Sequence, residues 1–256
     1  MLDERQAAIL ELVRERGFAA IEVLADRFAV TPQTIRRAAN RLCEQGLLRR
    51  VHGGVALPAA MQNLAYEGRQ VLNLEAKQRI ARAAARFIPD GASLFIGLGT
   101  TPEQVALALA GRRDLHVITN SLNVAAALAR NPAIEITIAG GTLRPRDRDV
   151  IGEAAAIFFG RFKADFGVFG VGGIDEDGTL LDFHLGEVEA RQAMHANCRT
   201  SVLVADGSKF GRNATARGGR LDEVDHLFTD IEVPRDYAEL VAASGVALHV
   251  AGRVNG

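Results

Sequence analysis

Apolar residues at helical spacing open the chain. Ile9, Leu12 and Val13, with Leu2, share one face of a helix expected over residues 5–16, and Gly17 stops it. A second helix is expected over 20–28, where Ile21, Leu24, Ala25 and Phe28 keep the same spacing. Thr31 then suits an N-cap and Pro32 the first position of a third helix, which runs to about Gln45 and closes at Gly46. That helix has two faces. Ile35, Ala38, Ala39 and Leu42 turn inward, while Gln33, Arg36, Arg37 and Asn40 repeat at the same interval on the opposite side. The period then changes from helix to strand. Residues 47–51 and 55–57 read as two short strands, with His52-Gly53-Gly54 as the turn between them.

Two closely joined helices followed by a hairpin describe a winged helix-turn-helix, with the helix-turn-helix at about residues 20–39. Such a second helix lies in the major groove, where Arg, Gln and Asn reach base edges and phosphates. An Arg/Gln stripe also serves as an ordinary solvated face, and the basic hairpin behind it tilts the reading toward DNA. The candidate DNA contacts are Thr31, Gln33, Thr34, Arg36, Arg37 and Asn40 on the helix, and Arg49, Arg50, His52, Gly53 and Gly54 on the wing. The DNA-binding domain is expected over residues 1–57 and a linker, with no clear period, over 58–75.

From residue 76 to 256 helical and apolar segments alternate. The helix "AKQRIARAAARFI" is followed by strand-like "SLFIGL", then Gly99-Thr100-Thr101 and the helix "PEQVALALA". Thr101 and Gln104 have the spacing of a capping box, with Pro102 at the first helical position. Strand-like "LHVIT", "EITIA", "DFGVFGV" and "SVLVA" lead to Asn120-Ser121, Gly140-Gly141, Gly172-Gly173 and the loop 206–209, and late strands are expected at "HLFT" and "ALHVA". Continuous apolar strands separated by helices predict an α/β, Rossmann-like parallel sheet covered on both faces. Small polar residues recur where the strands end, which is where open sheets of this kind bind ligands. A Gly-Thr-Thr turn at a helix N-terminus offers N–H groups, two hydroxyls and the positive end of the dipole, a set that suits a phosphate. Each loop alone is routine, but five together favour a small anion site.

Composition sharpens this picture. At 256 residues and 48% hydrophobic content the chain can bury a large core. No stretch of ~20 apolar residues and no basic leader is present, so a cytoplasmic protein without a membrane span is expected. Cys43 and Cys198 have no metal-ligand spacing and read as two buried thiols; no metal, cofactor or catalytic residue is expected. Residues 27–54 carry six arginines against Glu44, a surplus of five positive charges. The net charge of −1 therefore leaves −6 for the rest, and a compact basic patch on an acidic protein favours a polyanionic partner. Lysine is scarce: Lys77, Lys163 and Lys209 stand among 30 basic residues, so Lys209 beside the anion site draws notice as a compact ammonium.

"VTPQTIRR" followed by "EQGLLRRVHGGVALP" resembles the DNA-binding domain of the DeoR family of bacterial repressors. Ala38 and Ala39 depart from it, standing where family members typically carry an acid and a leucine. "FIGLGTTPEQVA", "VITNSLNVA", "IAGGTLRPRD", "IGEA", "FGVGGIDEDGTL" and "DGSKFGRNA" are similar to the DeoR sensor domain, which is related in fold to ribose-5-phosphate isomerase. The resemblance implies a repressor of operator double-stranded DNA, released by a small phosphorylated effector, glycerol 3-phosphate or a sugar phosphate. It implies a phosphate in the turn of Gly99, Thr100 and Thr101, aided by Lys209. Asn120, Ser121, Gly141, Asp175 and Glu187 are then candidates for hydroxyl contacts, and Gly140, Gly172 and Gly173 complete the strand-end set. Gly97 replaces a family acid. Repressors of this kind act as homo-oligomers, dimers or tetramers. Two other readings stay open: a sugar-phosphate isomerase using Asp175, Glu176, Asp177 and Lys209, and a DNA-architectural protein with no ligand.

Overall fold

The computed structural model describes residues 3–16, 18–45, 47–51, 53–56 and 66–252. Leu2, Gly17, Gly46, His52, Leu57 and residues 58–65 of the expected linker lie outside the described residues. The chain forms two compact units, residues 1–73 and 74–256.

The first unit runs α1 (Glu4–Arg16), β1 (Phe18–Ala20), α2 (Ile21–Arg27), α3 (Pro32–Glu44), β2 (Arg49–Val51), β3 (Gly54–Ala56) and α4 (Tyr66–Val71). Ile9, Val13, Leu24, Ile35, Leu42, Leu48 and Val55 meet in one apolar core, so the inward face expected for α3 is the one that is buried. Strand β1 was not expected from the sequence. Three residues carry no alternation, and Ala20, taken for a helical residue, is the extended N-cap of α2. The sheet order is β1-β3-β2, antiparallel, with Phe18 opposite Ala56 and Arg50 opposite Val55. Behind α4, Leu72 packs with Ala56.

The second unit runs α5 (Leu74–Phe87), β4 (Ser93–Ile96), α6 (Thr100–Leu109), β5 (Leu115–Thr119), α7 (Leu122–Leu128), β6 (Ile134–Ile138) and α8 (Glu153–Phe159). It continues with β7 (Ala164–Phe169), β8 (Gly173–Ile174), β9 (Thr179–Asp182), α9 (Leu185–Asn197), β10 (Cys198–Val204) and β11 (Ala216–Arg220). The last elements are β12 (His226–Thr229), α10 (Arg235–Ser244) and β13 (Ala247–Val250). Seven parallel strands lie in the order β13-β12-β10-β7-β4-β5-β6, the expected parallel sheet. Strand alternation divides its apolar residues between two cores. Leu94 and Ile96 join residues of α5, α6 and α7, whereas Phe95 joins residues of α8, α9 and α10.

A second, antiparallel sheet, β11-β9-β8, departs from the expected pattern. Its members "GI" and "ARGGR" are too short or too polar to carry a strand signal. The chain leaves β4 toward β5 and β6 on one side, and β7 toward β10, β12 and β13 on the other. That reversal between β4 and β7 opens a crevice beyond their carboxyl ends, the usual ligand position in open α/β sheets.

Candidate nucleic-acid interface and effector crevice

Helix α3 begins as its sequence dictates. Thr31 is extended, Pro32 enters the first turn, and Thr31 Oγ1 accepts from the Thr34 backbone N–H at 3.3 Å. Thr31 and Thr34 also share a hydroxyl contact of 2.9 Å, so both threonines build the cap. Gln33, Arg36, Arg37 and Arg41 are exposed, and Asn40 is half-buried. Arg36 Nη2 stands 3.9 Å from Glu22 on α2, and Arg50 on β2 donates to Asn40 Oδ1. The wing is thereby tied to the helix it flanks. Gly53, at φ +79°, makes the hairpin turn, and its carbonyl accepts from Ile21 N–H at 2.9 Å. Gly54 instead lies within β3 and is buried. A cleft of about 220 Å³ lies between α2, α3 and the wing, lined by Glu22, Arg36, Asn40, Arg50 and Gly53. Near the end of α3, burial pushes the Cys43 thiol up, so it stays protonated.

In the second unit the switch-point crevice holds about 20 Å³, between Gly97, Asn120, Gly170, Asp182, Glu187 and Arg191. Two buried ion-pair systems frame it. Arg191 donates to Asp182 Oδ2 at 2.9 and 3.1 Å, while Asp182 Oδ1 accepts from Gly172 N–H at 2.8 Å. Arg144 forks onto Asp149 at 2.7 and 2.8 Å and onto Glu187 at 2.9 Å. Burial pushes the Glu187 carboxyl up, opposed by its bond to Arg144. Burial works against the Arg144 charge as well, but its two carboxylates outweigh that and hold it more firmly protonated.

Helix α6 starts from Gly99, at φ +118° and ψ 157°. The expected capping box at Thr101 is not formed. A backbone that L-residues rarely adopt lets Gly99 serve as N-cap two residues earlier, and its carbonyl accepts from Glu103 N–H at 3.0 Å. Pro102 therefore sits in the third helical position, where a missing N–H costs nothing. Thr100 and Thr101 are buried at the helix N-terminus, whose first N–H groups have no partner within the helix. After β10, the turn Gly207–Lys209 folds around buried Asp206, which accepts from Ser208 N–H at 3.0 Å. Burial disfavours the Asp206 carboxylate, but Lys209, Lys77 and Ser208 outweigh it and hold its pKa below the usual range.

Family comparisons match both units. The DeoR-like helix-turn-helix domain matches residues 5–60, and the DeoR C terminal sensor domain matches residues 72–231. This chain belongs to the DeoR family. It is 44% identical to the glycerol-3-phosphate regulon repressor of Escherichia coli over 96% of this chain and 98% of that one. The repressor of the same name from Haemophilus influenzae is 45% identical over 88% of each chain. The HTH-type transcriptional repressor CsqR of Escherichia coli is 43% identical over 90% of this chain and 88% of that one. Among solved structures, a chain of the tetrameric eIF2B-beta2-delta2 complex from C. thermophilum shares the fold, with a TM-score of 0.54, 14% identity and 95% coverage of both chains. Ribose 5-phosphate isomerase A of Methanocaldococcus jannaschii matches 54% of this chain and 55% of its own, with 17% identity and a TM-score of 0.41.

Within this DeoR-family fold the expected effector residues separate. Asn120 and Glu187 line the crevice. Ser121 is buried beside Asn120 as the N-cap of α7, accepting from Val124 N–H at 3.4 Å. Gly140 and Gly141 are exposed in the loop after β6, Gly172 lies between β7 and β8, and Gly173 opens β8. Asp175 is exposed in the turn after β8 and accepts from Glu176 N–H at 3.0 Å, outside the crevice lining. Sequence reasoning missed Arg144, Asp149, Asp182, Arg191 and Lys77. The first four lie in "RPRDRDV" and "LLDFHLGEVEAR", but spacing does not disclose pairs that meet across 43 residues, as Arg144 and Glu187 do. At Gly97, where the family acid is absent, a Cβ would meet Met194 Cε and Sδ at 3.3 Å.

Proposed function

We propose that this chain represses transcription by binding operator DNA through α3 and the wing, and that it lets go when glycerol 3-phosphate enters the strand-end crevice. The observation that carries the reading is the pairing of an exposed basic helix and hairpin with a ligand crevice at the switch point of a parallel sheet. The DNA contacts we assign are Thr31, Gln33, Thr34, Arg36, Arg37, Asn40, Arg49, Arg50, His52, Gly53 and Gly54. The phosphate is assigned to the α6 turn of Gly99, Thr100 and Thr101, with Lys209 adding a full charge. Glycerol is chosen on the names of the E. coli and H. influenzae relatives.

The protein acts in the cytoplasm as a homo-oligomer, each unit of which reads one half-site. Among the described residues no helix is long and apolar enough to cross a membrane. An effector shifts the equilibrium only by binding the two states unequally, so glycerol 3-phosphate binds the DNA-free form more tightly. The isomerase reading takes its base from Asp175, Glu176 or Asp177, and these are exposed in a hairpin turn outside the crevice lining.

Fluorescence anisotropy on a duplex selected from a random library tests the proposal. Glycerol 3-phosphate weakens binding at least tenfold, and glycerol, lacking the dianion that the α6 turn and Lys209 attract, leaves it unchanged. Release by a pentose or hexose phosphate alone rejects the glycerol assignment. Turnover of ribose 5-phosphate rejects the repressor-only reading.

A further inference from the structure

Asn120 directly follows β5, with only 1% of its surface exposed. Its Nδ2 donates to the Val150 carbonyl at 2.7 Å, which fixes the amide orientation, because the flipped amide would set oxygen against oxygen. Its Oδ1 is buried and meets no donor. A buried acceptor left unpaired is costly and calls for an explanation. Asn120 lines the switch-point crevice, and the other polar groups there are already engaged: Asp182 with Arg191, Glu187 with Arg144. Asp149, Asp182 and Glu187 against Arg144 and Arg191 make three carboxylates to two guanidiniums, so this wall has no positive charge to spare. The crevice volume of about 20 Å³ is that of one water-sized group.

We infer that Asn120 Oδ1 accepts a hydrogen bond from the effector hydroxyl farthest from the phosphate, so that the crevice selects a phosphorylated alcohol and rejects a phosphorylated acid. The inference rests on the effector reading above and deepens it. An unpaired acceptor demands a donor, and a hydroxyl supplies one in the space of a single group. A carboxylate at the same carbon brings two more acceptors and a second charge against a wall that already has a surplus of acid. The division of labour follows: the α6 turn and Lys209 take the dianion, and Asn120 reads the other end.

Three ligands that share the phosphate test this by calorimetry: glycerol 3-phosphate, propane-1,2-diol 1-phosphate, which lacks the terminal hydroxyl, and 3-phosphoglycerate, which carries a carboxylate there. The wild-type chain binds the first at least tenfold more tightly than either of the others. In Asn120→Leu the alcohol and its deoxy analogue bind within threefold of each other. Circular dichroism confirms folding, and Asn120→Ala replaces the leucine variant should that one not fold. Wild-type affinities within threefold for alcohol and deoxy ligand, or for alcohol and acid, overturn the inference, as does a preference for the alcohol over the deoxy ligand that survives in the folded variant, Asn120→Leu or Asn120→Ala. Absence of binding by all three ligands overturns the effector reading itself, and this assignment with it.

Discussion

Arg144 holds the loop beside the crevice by one guanidinium shared between two buried carboxylates. A lysine could neutralise either acid but could not fork across both, so the planar donor set is what the position uses. Removing it leaves Asp149 and Glu187 facing each other out of water, and breaking a buried pair from one side costs about 3–5 kcal/mol. Arg144→Met therefore lowers the stability of the second unit by about 2–4 kcal/mol, the lower end reflecting a side chain that keeps some contact with solvent. Glu187→Gln in the same background recovers part of the loss, since the group whose ionised form burial already disfavours no longer needs a cation. The chain has no tryptophan, so urea unfolding followed by circular dichroism is the measurement. Equal stability of wild type and Arg144→Met would show that the fork is dispensable. At this scale the sequence was only half legible. Asn120 could be picked out as a polar residue beside a strand end and Glu187 only through the family resemblance, and their arginine and carboxylate neighbours come from remote segments joined only by folding.

The elements were read most clearly where a strong period met a cap. Helix α3 has both, with Thr31 and Pro32 at its start and a clean division into apolar and polar faces, and the structure keeps all of these. The large parallel sheet was legible for the same reason, because its central strands are largely apolar runs packed between two cores. Strands β1, β8 and β11 were not, because their stability comes from partners rather than from their own composition. The wing depends on the partner strand β3 and on a single left-handed residue. Gly53→Val places a β-branched residue at φ +79°, a conformation that costs about 1–3 kcal/mol for such a side chain. The nearby space is open, so the penalty is backbone strain rather than collision. The strain releases the Ile21 bond to the Gly53 carbonyl and shifts the strand that carries Arg50. Operator affinity is expected to fall at least tenfold while the effector affinity of the second unit stays unchanged. Gly53→Asn, which tolerates this conformation better, is expected to recover most of the binding. A valine variant with wild-type operator affinity would place the wing away from DNA.

Across the parallel sheet the proposed effector residues lie toward the carboxyl ends of the strands and structural pins toward the amino ends. Ser93 on β4 donates its Oγ and its N–H to Asp165 on β7 at 2.7 and 3.0 Å. Ser201 on β10 does the same with Asp225, just before β12, at 2.7 and 2.8 Å. These bonds hold Asp165 below the usual carboxylate range; Asp225 is also held below it, where burial acts in the opposite sense and Ser201 outweighs it. Farther along the same edge, His226 Nδ1 and His249 Nε2 lie 3.0 Å apart across β12 and β13, and His249 stacks on Phe228. Burial, with the neighbouring His226, pushes the His249 pKa down. The two groups of residues titrate in different windows. A histidine with a depressed folded pKa binds its proton more readily when unfolded, so its contribution is present above about pH 6.5 and is lost as pH falls below that. The depressed carboxylates keep theirs until about pH 3.9, and lose it below, as pH falls through their folded values. Stability of the second unit should therefore decline first as pH falls below about 6.5, then again in strong acid. His249→Phe keeps an aromatic face against Phe228 and removes the proton site, so it should flatten the first decline and leave the second. Urea midpoints across pH 3 to 8 decide the point. An unchanged first decline in His249→Phe would assign it to another group and leave the edge of the sheet insensitive to protons.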